Sequence, residues 1–112
     1  MSRRTYVPDR GDIVWLQFNP QAGHEQAGHR PALVLSPASY NRVSGLMLCC
    51  PMTSHKKGYP FEVIVTDMSD RTSVVLADQV KSFDWKIRKA VKKGTAPIDV
   101  ITETLSKLPA LL

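Results

Sequence analysis

A chain of 112 residues, 43% hydrophobic and 22% charged, has the make-up of one folded domain rather than of a disordered or fibrous protein. Fifteen Lys and Arg against ten Asp and Glu give a formal net charge of +5, a balance that favours anionic partners, nucleic acid above all. No apolar run approaches the ~18 residues needed to cross a bilayer, and the opening MSRRTYVPDRGD carries no apolar signal-type stretch, so a cytoplasmic protein without a membrane partner is expected.

Residues 12–18 (DIVWLQF) read as the first strand. Residues 19–29 (NPQAGHEQAGH) form a polar, glycine-containing loop, too long for a tight hairpin and of a kind that often carries function. A second strand covers 30–36 (RPALVLS), with Pro31 at its start, where a missing N–H is tolerated. Residues 37–41 suit one helical turn. A third strand, 46–51 (LMLCCP), runs into a second polar loop, 52–60 (MTSHKKGYP). Strands at 61–65, 73–77 and 79–82 follow, and 84–90 fits no element clearly. The tail changes period: Ile98, Ile101, Leu105 and Leu108 form one stripe of an amphipathic helix. Pro97 suits its first turn, Asp99 the positive end of its dipole, and Pro109 its end. Short strands punctuated by Gly and Pro predict an all-β barrel or sandwich, with the helix packed across it. No repeat or linker divides the chain, so a single domain over 1–112 is expected.

Two smaller expectations concern packing. Trp15 reads as a core or interface residue. Cys49 and Cys50 are neighbours on a strand, point to opposite faces and are poorly placed to bond each other. They suit a reducing compartment.

There is no GxGxxG, no phosphate-binding P-loop, no HExxH, no paired-cysteine metal site and no run of acids of the kind a two-metal nuclease uses. No metal or cofactor is expected. The chemistry-bearing residues sit instead in the two polar loops. The first holds His24, Glu25, Gln26, His29 and Arg30; the second holds Thr53, Ser54, His55, Lys56 and Lys57. Side by side at one end of a barrel they would supply an acid, imidazoles, a guanidinium, hydroxyls and ammoniums around one cleft. That set suits metal-free cleavage of RNA, in which the 2′-hydroxyl attacks the adjacent phosphorus while a base, an acid and cations assist. Each residue also has an ordinary reading: His24 and His55 as solvated loop side chains, Arg30 as a strand-end ion pair, Thr53 as a turn residue, Lys56 and Lys57 as solubilising charge. A second basic group, Lys81, Lys86, Arg88, Lys89, Lys92 and Lys93, reads equally as a solvated face.

Several motifs in order carry a resemblance: Tyr6-Val-Pro-Asp-Arg-Gly-Asp12, Glu25-Gln-Ala-Gly-His-Arg-Pro31, Ala32-Leu-Val-Leu-Ser-Pro37, Pro51-Met-Thr53, Lys57-Gly-Tyr-Pro-Phe-Glu62, Ala77-Asp-Gln-Val-Lys-Ser82, Trp85 and Lys92-Lys-Gly94. Along nearly its whole length the chain resembles the MazF (PemK-like) toxins of bacterial toxin–antitoxin pairs. The resemblance implies a mainly β, small SH3-like barrel of the CcdB/MazF type, with a C-terminal α-helix and one or two short helices. It implies a homodimer that cuts single-stranded RNA, chiefly messenger, at short motifs, without metal, and a cognate MazE-like antitoxin that blocks the site. It assigns catalysis to Arg30 and Thr53, with Glu25 as the best carboxylate for the base and His29 as the alternative. RNA binding is assigned to Asn19, Gln26, His29, Ser54, Lys57, Gln79, Lys81 and Arg88. Asn19 stands where some relatives have an acid, and Met52-Thr53-Ser54 replaces a commoner run with two threonines, so the preferred RNA sequence is expected to differ. Two other readings remain open at this point. One is a CcdB-like gyrase poison, which acts through an aromatic near its C-terminus; the tail LSKLPALL has none. The other is a relative that binds RNA without cutting it.

Overall fold

The apolar runs become antiparallel strands in the computed structural model, which describes residues 6–17, 29–66 and 71–112. In chain order the elements are β1 (Asp12–Gln17), β2 (His29–Val34), α1 (Ala38–Ser44), β3 (Leu46–Thr53), β4 (Glu62–Thr66), β5 (Thr72–Leu76), β6 (Lys81–Asp84), β7 (Val91–Thr95) and α2 (Ile98–Lys107). Short 3-10 turns occupy Ala77–Gln79 and Leu108–Leu111. The strands run β4-β5-β3-β2-β1-β7, with β6 alongside β3.

β3 organises the sheet because it is long enough to serve two neighbours on one edge. Residues 46–49 pair with β6, and Met52 and Thr53 pair with β5. On its other edge residues 49–51 pair with β2. The turn between β6 and β7 then meets the end of β1. Gln17 donates its N–H to the Arg88 carbonyl, and Arg88 Nη1 donates to the Gln17 carbonyl, both at 3.1 Å. The outcome is a mainly β, curled half-barrel with a C-terminal helix and one short helix, as the resemblance implied.

Two cores lie on the two faces of one sheet. Inside the curl are Val14, Leu16, Ala32, Val34, Met47, Cys49, Phe83 and Trp85. Outside it, Leu33, Cys50 and Met52 pack under β4, β5 and the start of α2, through Val63, Val65, Val75, Val100 and Ile101. Strands buried on both faces read as unbroken apolar runs, which is why ALVL and CCPM hold no polar residue; Leu46 and Leu48, earlier on β3, are 37% exposed. Each fully buried Val or Leu contributes roughly 1.5–3 kcal/mol relative to an exposed one. Gly11 lets α2 come close. Its φ is +95, and a Cβ there would meet Ile101 Cδ1 at 2.8 Å.

Cys49 and Cys50 are fully buried free thiols, one in each core. Burial, reinforced by the neighbouring thiol for Cys49 and by Asp78 for Cys50, pushes each from the ordinary 9.0 up to about 12. Neither thiol should react with an alkylating agent in the native protein at about pH 8, and both should react once it is unfolded. Because the native state holds these protons more tightly, the contribution to stability is complete below about pH 9. It is lost as pH rises from there toward about 12. A denaturation midpoint followed across that window checks the sign.

Four sequence expectations need correction. β7 was not foreseen: VKKGT has no alternating apolar face, and backbone pairing with β1 holds it instead, across a bulge at Ile13/Val14. α2 is rotated from the expected stripe. Ile98 is 75% exposed, while Val100, Ile101 and Thr104 are buried and Leu105 and Leu108 half-buried. The helix turns this way because Thr104 hides its hydroxyl by donating to the Val100 carbonyl at 2.8 Å. Pro97 caps α2 rather than sitting in its first turn, and Pro109 falls inside the closing 3-10 turn.

α1 is tied down by Asn41, which is fully buried. Its Oδ1 accepts from Ser36 Oγ at 2.6 Å, and its Nδ2 donates to the carbonyls of Pro8 and Ser36 at 2.7 and 3.0 Å. Its own carbonyl accepts from Trp85 Nε1 at 2.9 Å. The opening segment is held from the other side by Asp12, whose carboxylate accepts from the Tyr6 hydroxyl and lies 3.4 Å from Lys92 Nζ. Burial first, then that hydrogen bond, drives the Tyr6 phenol far above its ordinary range.

Candidate active site

Register brings the two principal residues together. β2 and β3 pair Ala32 with Pro51; carried two residues further, the same register sets Arg30 level with Thr53. Alternate residues on a strand share a face. Arg30 therefore lies on the face of Ala32 and Val34, and Thr53 on that of Cys49 and Pro51, both at the open end of the inner core. They line one cavity of about 320 Å³, with Lys57, Glu62, Asp78 and Gln79 in its walls. A second cavity of about 450 Å³ shares Arg30, Asp78 and Gln79 and adds Lys81, Phe83 and Arg88. The two form one trough. Four cations line it, Arg30, Lys57, Lys81 and Arg88, against two acids, Glu62 and Asp78.

Local structure explains how each group is held. Thr53 Oγ1 accepts the His55 N–H at 3.1 Å, which leaves its hydroxyl hydrogen to donate into the cavity. The loop after β3 folds around Glu62. That carboxylate accepts from the Lys57 N–H at 3.1 and 3.2 Å and from the Gly58 N–H at 2.8 Å. Gly58 has a φ of +83, suited to glycine. Lys57 Nζ lies 6.0 Å from the Tyr59 ring centroid. On the far side, the 3-10 turn Ala77–Gln79 presents Asp78 and Gln79 next to Arg30. Arg88 lays its guanidinium over the Phe83 ring at 4.6 Å, a stacked cation of moderate strength.

Seven of the residues singled out from the sequence thus surround one trough: Arg30, Thr53, His55, Lys57, Gln79, Lys81 and Arg88. His29 and Ser54 do not join them. His29 follows the opposite face of β2, where its ring lies near Trp15, and Ser54 lines a separate cavity. Asn19, Glu25 and Gln26 fall outside the described residues. Sequence reasoning missed Glu62 and Asp78 as site residues. Asp78 had a signal, since it directly precedes Gln79 in the same motif. Trp15 is not a core residue; it is 37% exposed. The late basic group is dispersed: Lys81 and Arg88 enter the trough, Lys86 lies over Trp85, Lys92 meets Asp12 and Lys93 lies over Trp15. Among the described residues no three His, Cys, Asp or Glu side chains converge as a metal site.

A curled barrel whose open end holds a guanidinium and a hydroxyl in a mostly cationic trough is built to take a phosphodiester. Residues 9–112 match the family described as PemK-like, MazF-like toxin of type II toxin–antitoxin system. The chain is 50% identical over 107 residues to the endoribonuclease toxin MazF of Escherichia coli K12, covering 96% of each. It is 35% identical to the endoribonuclease PemK of E. coli, over 98% of this chain and 86% of that one. A crystal structure of MazF from Deinococcus radiodurans superposes with a TM-score of 0.85 at 57% identity, covering 96% of this chain and 97% of that one. A MazE–MazF complex from the same organism gives 0.83 at 50% identity, over 96% of both chains. The chain belongs to the PemK-like, MazF-like toxin family of type II toxin–antitoxin systems.

Proposed function

We propose that this toxin is an endoribonuclease that cuts single-stranded RNA, chiefly messenger, by attack of the substrate's own 2′-hydroxyl, so arresting translation and growth. The observation that carries the reading is the placement of Arg30 and Thr53 in one cavity of a trough lined by four cations and two acids, within a chain 50% identical to a protein named endoribonuclease toxin MazF. The 2′-oxygen forms a bond to phosphorus and the bond from phosphorus to the 5′-oxygen breaks. The 2′ proton goes to a base, and the leaving oxygen gains one. The ends are a 2′,3′-cyclic phosphate and a 5′-hydroxyl. DNA lacks the nucleophile and survives.

Arg30 stabilises the phosphorane oxygens through its two parallel N–H groups. A guanidinium with a pKa above ~12 is a poor base at neutral pH, so the base is sought among carboxylates. Glu25 is the one the resemblance assigns. Asp78 stands beside Arg30 in both cavities and is the second candidate, whereas His29 follows the other face of β2. Glu25→Gln and Asp78→Asn separate the two, because the true base loses the acidic limb of the pH–rate profile. Thr53 donates its hydroxyl to the same phosphoryl group. Thr53→Ala should lower the single-turnover rate by about 10²-fold, the usual loss of one such donor, while Thr53→Ser keeps most of it. Lys57, Gln79, Lys81 and Arg88 hold the strand, with His29 and Ser54 at its margins; the resemblance adds Asn19 and Gln26 as RNA-binding residues, and cations on phosphates make the binding salt-sensitive.

One functional unit spans 1–112 and works as a homodimer in the cytoplasm, without metal or cofactor. Among the described residues no helix is long and apolar enough to cross a membrane. Its partner is a cognate MazE-like antitoxin, in keeping with the MazE–MazF complexes of the relatives. The test is incubation with a long, varied RNA in EDTA, followed by mapping of the new ends. Discrete cuts with 5′-hydroxyl ends are expected. RNA left intact across all sequences, or cut only when a metal is added, overturns the reading.

A further inference from the structure

On the sheet face opposite Arg30 lies a cavity of about 340 Å³ that the reaction above does not use. Its floor is apolar, from Ile13, Pro31, Met52 and Val65, and its rim carries Ser54, Arg71, Thr72, Ser73 and Lys93. Trp15 stands in it at 37% exposure, whereas Trp85, which serves the inner core, is at 4%. In the sheet Trp15 stands opposite Pro31 on β2 and Val91 on β7. Lys93 Nζ lies 5.5 Å from its centroid. The His29 ring is near-parallel to it, 16° between planes and 6.3 Å between centroids. No Asp or Glu is among the described residues lining this cavity, while the Arg30 trough holds two.

A half-exposed indole beside a cation, over an apolar floor with a hydroxyl rim and no acid, matches a nucleotide. A base has apolar faces that stack on aromatics, hydrogen-bonding edges, and a phosphate that seeks a cation. Lys93 is long and flexible, so it can leave the ring for a phosphate when a base takes its place. Thr53 lines both this cavity and the Arg30 cleft. A strand whose scissile phosphate sits at Thr53 therefore reaches the indole by turning over the end of β3. We propose that this second face is a flanking-nucleotide subsite, in which Trp15 stacks a base next to the cut and Lys93 holds its phosphate. The proposal rests on the ribonuclease reading above. It predicts that RNA is held better when it extends past the sequence that is recognised.

The experiment compares two single-stranded RNAs carrying a 2′-deoxy sugar at a mapped cut, so that they bind without being cleaved. One spans the cut alone; the other is extended on both sides. For the wild type the extended RNA should bind roughly tenfold more tightly, as one stacked base gives. Trp15→Ala should bring the ratio of the two affinities close to one, and Trp15→Phe should keep most of it. Lys93→Gln should lower the ratio and flatten its dependence on salt. A ratio near one for the wild type, or a ratio unchanged in both Trp15→Ala and Lys93→Gln, overturns the proposal. So does an unchanged ratio accompanied by a lost dimer mass in sedimentation or by lost antitoxin binding, which assigns the face to a protein partner. Because the ratio is read by binding, failure of the wild type to cut unmodified RNA counts against the ribonuclease reading and leaves this measurement interpretable.

Discussion

Replacing Arg30 by alanine is expected to lower the single-turnover cleavage rate by about 10²–10³-fold, the loss that follows removal of one preorganised donor to a developing oxyanion. Arg30 is exposed at the mouth of the barrel and belongs to neither core. Its strand is held by backbone pairing with β1, opposite Leu16, which alanine preserves. The folding free energy should therefore change by no more than the ~0.5 kcal/mol of an ordinary surface substitution. Arg30→Lys separates charge from shape. An ammonium keeps the positive charge but cannot offer two parallel N–H groups to two phosphoryl oxygens, so the rate should recover only in part. Normal cutting by Arg30→Ala, with the fold intact, would remove Arg30 from the site.

Asn41→Ala should be the most damaging change away from the trough, costing about 3–5 kcal/mol. The side chain is fully buried and makes three hydrogen bonds of 3.0 Å or less. Alanine leaves the Pro8 and Ser36 carbonyls and the Ser36 hydroxyl without these partners. Each buried polar group so orphaned costs about 1–3 kcal/mol. In a domain of this size that lowers the thermal midpoint by roughly 10 °C or more. Asn41→Asp tests the direction of the bonds, since it keeps an acceptor for Ser36 but presents oxygen to two carbonyls; it should be at least as harmful as alanine. Cleavage per folded molecule should be unchanged in both, because α1 does not contribute to the trough.

The strands that form the sheet's centre were legible because much of each is buried on both faces. ALVL and CCPM are apolar without a break, which suits an enclosed strand, although Leu46 and Leu48 just before CCPM are exposed. The two cysteines were legible for the same reason, since neighbours on a strand must part to opposite sides. β7 was not, because Val91-Lys92-Lys93-Gly94-Thr95 is placed by backbone pairing and by the contacts of Lys92 and Lys93 with Asp12 and Trp15, none of which leaves a period in the sequence. The turn of α2 was misjudged at Ile98 because a threonine that bonds its own helix can occupy a buried stripe. Within the site, Arg30 and Thr53 could be paired from motifs, yet their common cavity depends on a strand register that no local pattern encodes. Asp78 and Glu62 escaped notice because lone acids are common, and only the curl of the sheet brings them to the arginine.

The double burial of the central strands leaves them with an unusual weakness. In most sheets a strand that slides by one position throws its greasy side chains into water, and that penalty polices the alignment. Where β2 meets β3, residues 32–34 and 49–51 are apolar and buried on both sides, so along that stretch water does little to tell the right alignment from the wrong one. Enforcement falls to Pro31 and Pro51, which sit in paired strands opposite Trp15 and Ala32 and have no N–H to give. A one-residue slip would put each where the ladder demands a donor. Exchanging either proline for alanine should therefore give a chain that refolds in more than one phase, with alignment errors to undo before the catalytic end of the barrel can close.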